Sequence, residues 1–133
     1  MQLVDQLKQH SPTLLLLLTL IIAIFVFKKF IGSVASDEEI RHYLREGALI
    51  IDVRSRGEVL STGLFPGAIH IPIGELEASS SPHKSLPRDQ ESAKIIVYCA
   101  SGMRSASAQG LLKEMGYRNV VNAGGLSNMM RFK

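Results

Sequence analysis

The 133-residue sequence has one cysteine, Cys99, and four histidines. A single cysteine excludes an internal disulfide, and cysteines and histidines this few and this scattered exclude a zinc-finger spacing, so we predict no metal site. The chain is also too short for two full cores, because a domain usually takes about 100 to 200 residues. Cys99 is therefore either a small buried hydrophobic residue or the centre of the chemistry.

The sequence has little net charge. Fifteen Lys and Arg residues face twelve Asp and Glu residues, a formal net charge of +3. Two of these charges come from residues 1–31, where Lys8, Lys28 and Lys29 outnumber a single acid, Asp5. A nucleic-acid-binding surface needs basic residues clustered on the folded domain. This distribution excludes nucleic acid as a predicted partner.

A long apolar run lies near the N-terminus. Residues 14–27 are apolar apart from one threonine, and Lys28 and Lys29 follow directly. Because such a helix is apolar on every face, we predict an N-terminal tail over residues 1–11 and a single transmembrane anchor over residues 12–31, in contact with the lipid bilayer. A cleaved signal peptide and a buried core helix are the alternatives.

The basic residues that flank this segment predict its orientation. Lys8 stands alone before it, whereas Lys28, Lys29, Arg41 and Arg45 follow it. Lys and Arg near the ends of a span favour the cytoplasmic side. We therefore expect a single-pass protein of a bacterial inner membrane with its catalytic domain in the cytoplasm, and a periplasmic domain is the alternative.

From about residue 34 the sequence alternates between helix and strand signals, which is typical of an α/β domain with a mainly parallel sheet. Ser36 and Glu39 have the spacing of a capping box, and a second helix is predicted after Gly102. Apolar runs typical of buried strands lie at residues 48–53, 69–71, 94–98 and 119–121. Residues 78–92, rich in serine and proline, are predicted to form a surface loop.

Cys99 lies where the third predicted strand ends and a helix begins, at the sheet edge where α/β folds build their sites. The residues that follow it are Ala100, Ser101, Gly102, Met103, Arg104 and Ser105. The small residues among them let successive backbone N–H groups turn toward the sulfur. The helix N-terminus and the charge of Arg104 also favour a thiolate over a thiol. The pattern predicts a nucleophile in an anion-binding loop.

Three motifs lie in order along this domain. They are Ile51-Asp52-Val53-Arg54 followed by Glu58 and Gly63, then Pro66-Gly67-Ala68-Ile69-His70-Ile71-Pro72, and then Val97-Tyr98-Cys99-Ala100-Ser101-Gly102-Met103-Arg104-Ser105. Together they resemble a single-domain rhodanese, most closely the small phage shock protein E type of sulfurtransferase. The resemblance covers residues 34–133. It implies a central, mainly parallel five-stranded sheet flanked by helices.

The resemblance also implies an activity. Cys99 would carry sulfane sulfur as a persulfide, taken from thiosulfate or a similar small anionic donor and passed to a thiol or to cyanide, with no metal or organic cofactor. Backbone N–H groups of residues 100–105 would stabilise the persulfide, and Arg104 would bind the oxyanion of the donor. Asp52 would help to orient the neighbouring loops, and Arg54 is expected to be structural.

Other interpretations stay open. Arg54 and Glu58 are four residues apart and could form a simple ion pair, worth about 0.2 to 0.5 kcal/mol on an exposed helix. Related phosphatases and arsenate reductases use a loop with five residues between Cys and Arg, whereas four residues separate Cys99 from Arg104. We therefore favour sulfur transfer over those reactions. A membrane-tethered binding or sulfur-relay module, supplied with sulfur by a partner protein, is the alternative of a different class.

Overall fold

The chain divides into two units, Met1–Ile31 and Gly32–Lys133. The structure, a computed structural model, describes residues 2–30, 34–78 and 81–133. Residue 31 of the predicted anchor and residues 79–80 of the predicted surface loop lie outside these described residues. The first unit contains one helix, α1, Gln2–Phe30, with Pro12 inside it.

Helix α1 corrects the prediction of a membrane anchor. Within the described parts of the chain, no helix combines the length and the apolar character that crossing a membrane requires. The apolar run at residues 14–27 extends about 21 Å at the usual helical rise, whereas the hydrocarbon core of a bilayer is about 30 Å thick. The predicted anchor over residues 12–31, its contact with the bilayer, and the inner-membrane location and orientation are therefore wrong. The signal peptide stays a prediction.

The second unit is an α/β domain. Its helices are α2, Asp37–Arg45; α3, Arg56–Thr62; α4, Ile73–Ala78; α5, Met103–Glu114; and α6, Leu126–Met129, followed by a 3₁₀ turn at Met130–Phe132. Its strands are β1, Leu49–Asp52; β2, Ile69–His70; β3, Lys94–Cys99; and β4, Asn119–Gly125. The strands are ordered β2-β1-β3-β4, and every neighbouring pair is parallel.

The predicted five-stranded sheet is wrong in its number of strands, because the described residues form four. These four match the apolar runs in the sequence. Before α2, the chain makes a backbone hydrogen bond to the edge strand β4, in which the Ala35 N–H donates to the Asn122 carbonyl at 2.8 Å. One such bond does not build the ladder that defines a strand.

Strand β3 is buried on both faces. Its odd-numbered side chains, including Cys99, belong to an apolar cluster that contains Leu112 of α5. Its even-numbered buried side chains belong to a second cluster, which contains Ile40 of α2 and Met129 of α6. Because successive side chains of a strand point to opposite faces, this alternation places the thiol on the face covered by α5.

Two helices begin with side-chain caps. The Ser36 hydroxyl accepts a hydrogen bond from the Glu39 N–H at 3.2 Å, as its spacing predicts. A reciprocal capping box also joins Ser55 and Glu58 at the start of α3. Helix α3 is missing from the sequence prediction because its seven residues are less than two full turns, too few for a clear periodic pattern. It matters for function because it carries Glu58.

Candidate active site

Cys99 is the last residue of β3, and its side chain is buried. The chain then reverses direction within three residues and enters α5 at Met103. Gly102 makes this reversal possible, since its φ of +96° is a left-handed conformation that other residues rarely adopt. A Cβ atom at Gly102 would lie 3.2 Å from the Gly124 Cα atom. The loop is therefore closed tightly around the sulfur.

The sulfur receives hydrogen bonds from the loop and from the first turn of α5. The Gly102 N–H donates to Cys99 Sγ at 3.0 Å, and the Ser105 hydroxyl lies 3.3 Å from the same atom. Burial alone raises the pKa of Cys99, but the Ser105 hydroxyl and the backbone N–H groups of Ser105, Ser101 and Gly102 outweigh it. The net pKa of Cys99 lies below its usual value, so the site stabilises the thiolate relative to that of a free cysteine. Ala100 and Met103 are exposed on the outside of the loop.

Arg104, predicted to bind the donor, holds a carboxylate in this structure. Its Nη1 and Nη2 atoms donate to the two oxygens of Glu58 at 2.6 and 2.9 Å, and both side chains are 36% exposed. The Arg104 guanidinium, followed by hydrogen bonds from Ser55, lowers the pKa of Glu58 to about 2. The ion pair therefore joins α3 to the first turn of α5, beside the sulfur.

Asp52 and Arg54 form a buried pair after β1. Arg54 donates through Nη2 to Asp52 Oδ2 at 2.7 Å and through its backbone N–H to Oδ1 at 2.9 Å. It also donates to the Thr62 hydroxyl at 2.7 Å and to the Gly63 carbonyl at 2.8 Å, which fixes the end of α3. The suggested ion pair between Arg54 and Glu58 is not formed. Arg54 turns inward because the fully buried Asp52 carboxylate needs a cationic partner.

Asn122 of β4 is a site residue that the sequence analysis missed. Its side chain is only 1% exposed, and its Nδ2 atom donates to the Gly102 carbonyl at 3.1 Å. Its Oδ1 atom accepts from the Gly124 N–H at 2.9 Å and lies 2.7 Å from the Ser105 hydroxyl. One signal in the sequence could have identified it: an asparagine lies in a strand that is otherwise apolar and buried. A buried amide needs hydrogen-bond partners, so such a residue points to a polar contact.

Comparison with known proteins identifies the family. A family model described as the rhodanese-like domain matches residues 36–131. The chain belongs to the rhodanese-like family. The rhodanese domain contains the tight loop after β3 and the single thiol described above.

Several relatives of this rhodanese domain are named as sulfurtransferases. The chain is 32% identical to the human thiosulfate:glutathione sulfurtransferase over 96 residues, covering 65% of this chain and 83% of that protein. It is 40% identical to the thiosulfate sulfurtransferase PspE of Escherichia coli over 63 residues, covering 47% of this chain and 57% of PspE. The predicted rhodanese domain and general class of activity are confirmed, while the donor and the residue roles stay predictions.

A solved structure supports the same assignment. The human single-domain sulfurtransferase TSTD1 superposes with a TM-score of 0.62 at 29% identity, covering 77% of this chain and 99% of that structure. Nearly the whole of that single-domain protein is therefore matched by the rhodanese domain.

Proposed function

We propose that this rhodanese domain transfers sulfane sulfur from thiosulfate, or a similar small anionic donor, to a thiophilic acceptor through a persulfide on Cys99. The observation that carries the proposal is that the Gly102 N–H and the Ser105 hydroxyl, at the start of α5, both contact the Cys99 sulfur. These donors stabilise negative charge, and the thiolate is the nucleophilic form of cysteine.

The reaction consists of two displacements at sulfur. The Cys99 thiolate attacks the outer sulfur of thiosulfate, a bond forms between the two sulfurs, and the S–S bond of the donor breaks with its electron pair leaving on sulfite. The persulfide keeps one negative charge on its outer sulfur, where backbone N–H groups of residues 100–105 stabilise it. Cyanide or a thiolate then attacks the outer sulfur, and the Cys99 thiolate is released. Neither step consumes an oxidant or a reductant.

Arg104 is the side chain that we propose binds the oxygens of the donor. Its planar guanidinium makes paired hydrogen bonds to Glu58, and the oxygens of a sulfonate-like group accept hydrogen bonds from the same donors. Since the pair is partly exposed, a donor anion can replace the carboxylate without leaving a buried charge unpaired. Asp52 and Arg54 support this exchange by fixing the end of α3.

A relay that receives sulfur from a partner protein is the competing function. The Cys99 side chain has no exposed surface, which favours a small donor because a persulfide on another protein must bring its sulfur to bonding distance. Turnover with free thiosulfate should therefore exceed transfer from protein persulfides. Faster transfer from a protein persulfide would favour the relay.

The main test uses the full-length chain. It should form thiocyanate from thiosulfate and cyanide, and Cys99→Ser should abolish this activity because the sequence has no other thiol. Mass spectrometry after thiosulfate treatment, without cyanide, should find one added sulfur atom on Cys99.

A relocated thiol gives the matched control. Cys99→Ser combined with Ser107→Cys places the only thiol at an exposed position of α5, outside the loop. This variant should neither acquire sulfur nor form thiocyanate. An unmodified Cys99 in a folded native sample, or equal activity of the relocated thiol, would contradict the proposal.

A further inference from the structure

We infer that Asn122 is a positioning residue for the sulfur chemistry, because its one carboxamide holds two of the hydrogen-bond donors to the Cys99 sulfur, the Gly102 N–H and the Ser105 hydroxyl. The catalytic consequence of this inference rests on the proposed function. The positioning itself concerns the thiol and can be measured without sulfur transfer.

Each of these two donors is attached to one end of the carboxamide. Gly102 donates its N–H to Sγ at 3.0 Å, and its carbonyl accepts from Asn122 Nδ2 at 3.1 Å. The Ser105 oxygen lies 3.3 Å from Sγ and 2.7 Å from Asn122 Oδ1. All four residues are buried, so water does not replace a lost contact without rearrangement. A side chain of β4 thus holds hydrogen-bond donors that lie in the loop after β3 and in the first turn of α5.

The backbone fixes the orientation of the carboxamide. The Gly124 N–H donates to Oδ1 at 2.9 Å, while the Gly102 carbonyl accepts from Nδ2. Reversing the amide would place an NH₂ group against the Gly124 N–H and an oxygen against the Gly102 carbonyl, two repulsive contacts. The oxygen end therefore always faces Ser105.

The Ser105 hydroxyl has one hydrogen and two possible acceptors, Cys99 Sγ and Asn122 Oδ1. When Sγ carries the negative charge, the hydroxyl donates to the sulfur. When Sγ is a thiol, or when the charge has moved to the outer sulfur of the persulfide, the hydroxyl donates to Oδ1. Asn122 Oδ1 therefore holds the Ser105 hydroxyl beside the sulfur when Sγ is a thiol or when the charge has moved outward, and the Asn122 Nδ2 bond to the Gly102 carbonyl is available in every state.

Charged side chains near the site come from other elements. Arg104 of α5 acts electrostatically on Cys99 and is paired with Glu58 of α3, and Asp52 is paired with Arg54 after β1. Asn122 adds no charge from β4. A change in the acidity of the thiol after substitution of Asn122 therefore reports on the hydrogen-bond donors.

The test is the pKa of Cys99 in the full-length chain, measured from the ultraviolet absorbance of the thiolate. The sequence has one cysteine, and the Cys99→Ser protein supplies the tyrosine background. Asn122→Ala should raise this pKa, so that the acid dissociation constant of the thiol falls about threefold to tenfold, equivalent to losing about one net hydrogen bond. The kcat/KM for thiosulfate should fall by a similar factor.

Three comparisons separate positioning from general destabilisation. Asn119→Ala removes a side-chain bond from the same strand to the Glu91 carbonyl, away from the sulfur, and should leave the pKa of Cys99 unchanged. In a Ser105→Ala background, Asn122→Ala should raise the pKa by less than it does alone. Asn122→Leu, which keeps the branched shape of the side chain but has no hydrogen-bonding atoms, should act like Asn122→Ala and replaces it if the alanine variant does not fold.

An unchanged Cys99 pKa in a folded Asn122 variant would overturn the inference. If the native protein transfers no sulfur while the Asn122 variants still raise the pKa, the proposed function fails and the positioning role stands. The two failures are therefore distinguishable.

Discussion

Two of the arginine–carboxylate pairs in the domain hold α3, and they differ in burial. Asp52 and Arg54 are 0% and 3% exposed, whereas Glu58 and Arg104 are each 36% exposed. Removing one partner of a buried pair leaves a charge away from water, while an exposed pair separates at little cost. The buried pair therefore holds α3 in place, and the exposed pair can exchange partners beside the sulfur.

The largest expected effect is on the buried pair. Asp52→Ala should lower the free energy of unfolding by about 3 to 5 kcal/mol, because it leaves the buried Arg54 guanidinium without its carboxylate. Urea denaturation measures the change. The double variant Asp52→Ala with Arg54→Ala should lose less than the two single losses combined, since removing both partners leaves no unpaired charge. A change below about 1 kcal/mol in the single variant would show that the pair is as dispensable as an exposed one.

A smaller effect is expected for the exposed cation. Arg104→Ala should raise the KM for thiosulfate about tenfold, corresponding to a lost charge-assisted hydrogen bond, and should change stability by at most about 1 kcal/mol. Steady-state kinetics and thermal unfolding of the same preparation measure the two quantities. Arg118→Ala, which removes an exposed arginine paired with Glu91, serves as the control. An unchanged KM combined with a large loss of stability would make Arg104 structural.

The smallest effect is expected for Glu58→Gln. Arg104 should then be free to bind the donor, so the KM for thiosulfate should fall by a factor of about two to five, the range that corresponds to an exposed ion pair. An unchanged or raised KM would show that the donor does not compete with Glu58 for Arg104.

The pH dependence of stability gives an independent measurement on the same variant. The pKa of Glu58 is lowered from 4.5 in the unfolded chain to about 2 in the folded chain. The stabilisation by this carboxylate is therefore fully present above pH 4.5 and is lost as the pH falls toward 2. The difference in melting temperature between native protein and Glu58→Gln should shrink steadily over this interval. A difference of the same size at both ends of the interval would assign it to another group.

The sequence predicted the features that depend on neighbouring residues. The apolar runs of β1, β3 and β4 are long enough to identify buried strands, and the position of Cys99 between a strand and a helix follows from local patterns. The prediction of a membrane anchor failed because the apolar run at residues 14–27 is shorter than the hydrocarbon core of a bilayer. The fifth strand failed because it came from the resemblance and had no apolar run of its own.

Features that depend on tertiary contacts could not be predicted. Asn122 reaches the loop because β4 pairs with β3 in a register that sets Val97 beside Asn122 and Cys99 beside Gly125. The partners of Arg54 and Glu58 depend on the direction of α3, a helix too short to leave a periodic signal. The contact between Asn122 and the loop joins residues that are far apart in sequence, and Arg54 and Glu58 could each pair in more than one way. Neither result can be predicted without knowing how the sheet and α3 pack.

Near Cys99, the backbone of the loop after β3 lies directly against the backbone at the end of β4. A Cβ atom at Gly102 would meet the main chain of Gly124, and one at Gly125 would meet the carbonyl of Ala100. At these two points main chain approaches main chain, so a side chain added to either glycine would force the loop and the end of β4 to shift. The spacing between the loop and β4 is therefore a property of the backbone, whereas the charge beside the sulfur comes from the partly exposed Arg104 and Glu58 and can be changed by single substitutions.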